Sequence, residues 1–174
     1  MSTLKISLAA LALAAAAAMP AAAHVTLDVP TAKVHASYKA VLKVGHGCDG
    51  KATTAIRVRL PEGVINVKPM PKAGWKIEKT QGEYAKAYDY YGEAKTSGVR
   101  ELTWSGGNLA DDEYDEFVFR AYVTEAFKPG DTIAFPVVQE CTEGATTRWI
   151  EIPEAGKTAD DYEHPAPTLT VVDK

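Results

Sequence analysis

The stretch that decides the fold is TTAIRVRL, residues 53–60, which is followed by the turn sequence PEG. From Ile56 to Leu60 every second residue is apolar, and the positions between them are Arg57 and Arg59. This alternation places the apolar side chains on one face of a β-strand and the arginines on the other. We therefore predict a strand that packs one face on a core and turns the other toward solvent.

Similar short stretches, separated by Pro and Gly turns, occur throughout the chain after residue 23. We predict strands over 25–29, 38–44, 53–60, 65–68, 75–79, 99–104, 117–123, 132–139, 146–152 and 168–172. Ser105-Gly106-Gly107-Asn108 is interpreted as a turn, and Tyr84–Tyr91 is compatible with a helix or a strand. Many short strands in one domain predict an all-β fold, a single antiparallel β-sandwich over residues 24–174.

The first 23 residues have the composition of a signal peptide. Lys5 precedes an apolar run of about 14 residues, Ile6–Met19, which is shorter than the roughly 20 residues that a spanning helix needs. Ala21-Ala22-Ala23 is a small-residue cleavage site. We expect cleavage after Ala23, although other registers between Met19 and Ala23 stay open. His24 would then begin an exported, periplasmic or otherwise extracytoplasmic chain that is not a transmembrane protein.

Charge and cysteine content restrict the partners. The formal net charge is −4 at pH 7 and Lys and Arg are not clustered, which argues against binding nucleic acid or anionic lipid. An even pair of cysteines, Cys48 and Cys141, predicts one disulfide in an exported protein. A pair of metal thiolates is the alternative, but no CxxC or Cys-x-His spacing supports it.

His24 carries the most specific chemistry if it becomes the first residue. A free α-amine and the imidazole Nδ1 of one residue can chelate a single metal ion, which is half of a histidine brace. The amine has a low reference pKa of about 7.7–8.0, so losing its proton near neutral pH costs little. Amine and imidazole nitrogens suit Cu(II). The alternative is that cleavage exposes a histidine by accident.

A set of sequence landmarks, in order along the chain, resembles the YcnI-like family of exported bacterial proteins found near copper genes. The landmarks are His24-Val25-Thr26-Leu27, Thr53-Thr54, Leu60-Pro61-Glu62-Gly63-Val64, Pro71-x-x-Gly74-Trp75, Trp104-Ser105-Gly106-Gly107, Asp115-Glu116-Phe117, Phe135-Pro136 and Arg148-Trp149. The resemblance implies a cupredoxin-like or fibronectin-like sandwich. It also implies a Cu(II) site made from the N-terminal histidine, a carboxylate and a nearby tryptophan.

Two of these three groups have a counterpart here. The histidine is His24. The tryptophan is Trp149, which would wall the site, tune its redox behaviour or hydrogen-bond a copper ligand; plain core packing is the alternative. The carboxylate position falls at Arg57, which cannot bind a cation, so the third ligand is open.

His46 is the best substitute ligand. It lies between two glycines and two residues before Cys48, whose disulfide would pin the loop. With that disulfide formed, copper would be held by nitrogen and oxygen ligands. Weaker candidates are Glu140, next to Cys141, and Asp28. The remaining histidines, His35 and His164, are interpreted as solvated, and the acidic segment 111–116 as a solvated turn.

These observations predict a copper-binding protein that receives, stores or passes on Cu(II) outside the cytoplasm, with another extracytoplasmic or membrane copper-handling protein as its partner. No hydrolase or phosphate-loop motif is present, and we expect no enzymatic activity. Two alternatives stay open. One is a metal-free interaction module. The other is a copper monooxygenase, which would need a flat aromatic surface, with Trp75 and the tyrosines at 84, 88, 90 and 91 as candidates.

Overall fold

The computed structural model describes residues 24–154 and 156–173, so the predicted signal peptide lies outside the described residues. In chain order the strands are Thr26–Leu27 (β1), Thr31–Lys33 (β2), Ala36–Val44 (β3), Thr53–Arg59 (β4), Val64–Pro69 (β5), Lys76–Tyr90 (β6), Glu93–Leu109 (β7), Asp115–Val123 (β8), Thr132–Ala134 (β9), Val137–Cys141 (β10), Thr146–Trp149 (β11) and Thr168–Val172 (β12). Two single 3₁₀ turns cover Thr142–Gly144 and Ala159–Asp161. Within these two described ranges, no helix has the length and apolar character needed to cross a membrane.

The strands form two large sheets and one small one. One large sheet has the order β1-β3-β8-β5, the other β11-β10-β4-β7-β6, and both are antiparallel. The small sheet, β2-β12-β9, contains one parallel pair, β2 with β12. The predicted all-β antiparallel sandwich is confirmed.

The strand predicted from residues 53–60 packs as its alternation indicates. Ile56, Val58 and Leu60 are completely buried, while Arg57 is half-buried and Arg59 is exposed. The three apolar side chains belong to a core cluster to which both large sheets contribute. This cluster includes the large aromatic side chains of Trp104, Phe117, Phe119 and Phe135. Each fully buried side chain of this size contributes about 1.5–3 kcal/mol to folding.

The turn predicted at Ser105-Gly106-Gly107-Asn108 is wrong, because β7 continues through it to Leu109. The register with β4 shifts there, and Gly106 takes the bulge conformation with a φ of 80°. Gly107 allows the ring of Trp75 to pack closely against the backbone of β7. A Cβ at that position would lie 2.1 Å from Cε2 of Trp75. The ambiguous segment Tyr84–Tyr91 is mainly strand, as the end of β6.

The predicted disulfide is confirmed. Cys48 and Cys141 are bonded, and the bond joins the loop after β3 to the end of β10 across a sequence separation of 93 residues. Both cysteines are buried. The loop that carries His46 is therefore tied covalently to the large sheet that contains β11 and Trp149.

Candidate metal centre

The structure brings together His24, His46 and Trp149. The imidazole centroids of His24 and His46 lie 5.8 Å and 6.2 Å from the Trp149 ring, and both meet it edge to face. The two imidazoles therefore cannot be further apart than the sum of those distances. Trp149 is buried, and the two histidines are half-buried. Histidines from the N-terminal segment and from the β3–β4 loop thus share one indole.

A buried glutamine fixes that indole. Trp149 Nε1–H donates to Oε1 of Gln139 at 2.9 Å. Gln139 Nε2 in turn donates to the His46 carbonyl and to Thr53 Oγ1, both at 2.7 Å. Gln139 is completely buried, so these bonds are not exchanged for water. Because the single indole N–H is already donated to Gln139, it is not available to bond another group.

The hydrogen bond of His46 determines which ring nitrogen is free. Its Nδ1 lies 2.5 Å from the Gly47 carbonyl oxygen. A carbonyl oxygen only accepts, so this contact puts a proton on Nδ1, and in the neutral imidazole Nε2 then carries the lone pair. Metal-binding histidines commonly donate their other N–H to such a carbonyl. In its neutral form the His46 ring therefore has Nε2 as the nitrogen without a proton.

The loop around His46 is held at several points. Gly47 N–H donates to Asp111 Oδ1 at 3.1 Å, and Cys48 and Lys51 exchange two backbone hydrogen bonds of 2.9 Å. A Cβ on Gly47 would lie 1.9 Å from the Lys51 carbonyl oxygen, so only glycine fits there. With the disulfide, these contacts set the position of His46 before any ligand binds.

The N-terminal segment is held mainly by its backbone. β1 pairs with β3 through Thr26 and Leu27. Just after β1, the carbonyl of Val29 accepts a hydrogen bond of 2.6 Å from the hydroxyl of Tyr38. Burial, with a smaller contribution from the negative charge of Asp28, raises the pKa of Tyr38 to about 12. This neutral, buried phenol fixes the direction in which the chain leaves β1.

His24 itself has an unmet bonding requirement. Its Nε2 is buried and has no hydrogen-bond partner among the described residues. A buried polar group without a partner costs about 1–3 kcal/mol. Beside it lies a groove of about 240 Å³ whose lining is largely apolar and includes Pro30, Pro165 and Pro167. The unmet bond is on Nε2, which is not the nitrogen that would close a chelate ring with the α-amine of the same residue.

The structure does not bring Glu140 or Asp28 to these imidazoles. Glu140 Oε1 accepts from Arg57 at 3.0 Å. Arg57 is paired with Val138, whereas Trp149 is paired with Val137, so Arg57 and Glu140 lie on the face of the sheet opposite Trp149. Position 57 therefore faces away from Trp149.

Asp28 is exposed and pairs with Lys43 Nζ at 3.4 Å. Within the described ranges, no group of three or more His, Cys, Asp and Glu side chains is close enough to hold a metal ion. Described side chains therefore supply at most two ligands to any single metal position.

His164 was expected to be solvated, and it is only partly so. The residue is half-buried, and its ring centroid lies 5.3 Å from that of Trp149. His35, by contrast, is exposed in the turn between β2 and β3, as predicted. The sequence does not predict the contact between His164 and Trp149, because that contact forms only when the tail pairs with the residues that follow β11.

Sequence reasoning also missed Gln139 and Asp111. Gln139 could have been found, since it is a polar residue at an inward-facing position of the strand VVQEC. Asp111 could not, because it was indistinguishable from its acidic neighbours until its bond to Gly47 was known.

Comparison with known proteins agrees with this fold. The chain is similar to an uncharacterised protein from Nocardia farcinica whose crystal structure is described as revealing an immunoglobulin-like fold. Sequence identity is 25%, the match covers 86% of this chain and 98% of that one, and the TM-score is 0.65. This similarity agrees with the fibronectin-like form of the predicted sandwich.

A search among functionally curated proteins finds no match. The model of a family described as "Domain of unknown function (DUF1775)" matches residues 24–171. Because that match spans most of the sequence and this family is the YcnI-like one that the landmarks indicated, the chain belongs to the DUF1775 family.

Proposed function

We propose that this protein is exported and holds one Cu(II) ion at its processed N-terminus, for copper trafficking or homeostasis outside the cytoplasm. The ligands are the α-amine and Nδ1 of His24 and the Nε2 of His46. The observation that carries the proposal is that both imidazoles meet the indole of Trp149, with the Nε2 lone pair of His46 left free by its bond to Gly47.

The ligand count supports a site that is completed by processing. The described side chains include no group of three that could hold a metal, so two imidazoles need a third donor from elsewhere. Cleavage after Ala23 would supply it as a free amine, which forms a chelate ring with the Nδ1 of the same residue. Three nitrogens are a ligand set that Cu(II) favours, and the confirmed disulfide removes both thiols from competition.

We propose carriage of copper rather than turnover of a substrate. His24 adjoins a largely apolar groove. Three of the aromatic side chains considered for a flat glycan-binding surface are packed against other residues. Trp75 packs on Phe117 at 4.8 Å, and Tyr84 and Tyr88 are buried against each other at 5.7 Å. The partner of a carrier would be another extracytoplasmic or membrane protein that gives or receives the ion.

The test is a Cu(II) titration followed by electron paramagnetic resonance. One sample is protein exported from the full chain, with His24 verified as its first residue, and the second carries one extra N-terminal glycine. We expect one tight, nitrogen-rich signal from the first sample that is lost or altered in the second. His46→Ala should weaken binding by about tenfold or more.

The matched control is His35→Ala, because His35 is an exposed histidine outside this site. It should bind Cu(II) like the unmodified protein. Identical spectra with and without the extra glycine, or no stoichiometric binding at all, would reject the copper proposal. A metal-free interaction module would then be the better account of the fold.

A further inference from the structure

His164 is the third imidazole that contacts Trp149, and its backbone is fixed there. The His164 carbonyl accepts from the N–H groups of Ile150 and Glu151 at 3.0 Å and 3.1 Å, and its own N–H donates to Glu151 Oε2 at 2.6 Å. The next residues continue this contact, since Pro165 forms a parallel bridge with Glu151. The tail therefore presents His164 at a defined place.

The ring of His164 has the same free nitrogen as that of His46. Its Nδ1 lies 2.8 Å from the Glu163 carbonyl oxygen, which can only accept. This contact puts a proton on Nδ1, and in the neutral imidazole Nε2 then carries a lone pair. Histidines with this arrangement are suited to bind a metal through Nε2.

The ring of His164 is partly accessible from solvent. His164 is only half-buried, so solvent and a dissolved ion reach it more easily than they reach the buried indole beside it. It also belongs to the segment that lines the groove next to His24, since Pro165, Ala166 and Pro167 form one wall of that groove. His164 thus stands at the accessible border of the proposed copper site.

We propose that His164 is a transfer ligand, which binds Cu(II) through Nε2 while the ion enters or leaves the pair formed by His24 and His46. The described side chains do not form a group of three around one metal position, so His164 is not a permanent third ligand. During exchange, the bond to His164 forms as the bond to an outside donor breaks, and the ion keeps its oxidation state. This inference rests on the proposed function.

A transfer ligand has a specific kinetic signature. It stabilises the intermediate of exchange, so removing it slows binding and release together and leaves their ratio, the dissociation constant, unchanged. We expect His164→Gln to reduce both rates by about tenfold, which corresponds to about 1.4 kcal/mol in each barrier. The dissociation constant should stay within about twofold, and the resonance spectrum of the bound copper should be unchanged.

The experiment uses stopped-flow mixing of the processed protein with Cu(II), then transfer from the loaded protein to a chelator. His35→Gln is the control for the loss of a histidine, and thermal unfolding verifies that each variant is folded. Unchanged rates in His164→Gln would overturn the inference. A larger dissociation constant together with an altered spectrum would also overturn it, because that result would indicate a permanent ligand or a structural role.

The two proposals can fail separately. If the unmodified protein binds no copper at its N-terminus, the proposed function fails and the inference falls with it. If the unmodified protein binds copper and His164→Gln exchanges it at the same rate, only the role of His164 is rejected.

Discussion

Trp149 and Gln139 are joined by a hydrogen bond of 2.9 Å in which the indole N–H donates to the amide oxygen. The other end of the same amide reaches the His46 carbonyl. One buried side chain therefore fixes both the wall of the proposed copper site and the loop that carries its second histidine.

Replacing this glutamine should damage stability and the site together. Gln139→Leu leaves the buried Trp149 N–H and the partners of the amide group without bonds, so we expect the free energy of unfolding to fall by about 2–4 kcal/mol. Urea denaturation measures the loss. The control is Gln81→Leu, because Gln81 is exposed. If the two variants are equally stable, the network does not hold the site.

The disulfide should contribute substantially to stability. Replacing Cys48 and Cys141 together by alanine frees a long loop in the unfolded chain, and we expect a loss of about 4–5 kcal/mol in the free energy of unfolding. Urea denaturation with and without reductant provides the measurement. Reductant should destabilise the unmodified protein to a similar extent and leave the double variant unaffected. A reductant effect on the double variant would contradict the assignment.

Glu140 should be dispensable for copper. It pairs with Arg57 on the outer face of the sheet, away from Trp149. We expect Glu140→Gln to change Cu(II) affinity by less than about twofold, whereas His46→Ala weakens it by about tenfold or more. A half-exposed ion pair contributes about 0–1 kcal/mol, so folding should be little affected. Loss of copper from Glu140→Gln would place the carboxylate among the ligands and refute our reading of the register.

Tyr38 should make the protein sensitive to alkali. An unfolded tyrosine has a pKa of about 10, and burial with the charge of Asp28 raises that of folded Tyr38 to about 12. Between these values the unfolded chain releases a proton that the folded chain keeps, so this group's contribution to stability is lost as the pH rises from about 10 to about 12.

Tyr38→Phe should therefore reduce the slope of stability against pH in that window. Urea midpoints measured at pH values across the window give the slope. The control for loss of a phenol is Tyr91→Phe, since Tyr91 is exposed. An unchanged slope in Tyr38→Phe would contradict the assignment.

The sequence was informative wherever a local pattern determined the outcome. The alternation from Ile56 to Leu60 predicted a strand because the period of two follows from backbone geometry alone. The cysteine pair was predicted correctly because a chain with two cysteines has a single internal pairing. The prediction of a turn was wrong where a glycine is required by packing against a residue far away in the sequence. Gly107 suggested a turn, but it is needed because Trp75 lies against it.

The site was only partly predictable for the same reason. His46 could be singled out by its glycines and by nearby Cys48, which are local features. His164 could not, because its proximity to Trp149 depends on the pairing of Glu151 with Pro165 across an irregular connection. The opposite facing of Arg57 and Trp149 likewise depends on strand register, which a single sequence does not reveal.

The contact between His24 and Trp149 joins the first described residue of the domain to one of its last strands. A chain whose sheets have not closed has no such contact. If copper binds as proposed, its binding free energy is added to that of folding. Only completely folded molecules would then bind copper. Copper-loaded molecules would be degraded more slowly than empty ones wherever proteases remove unfolded chains.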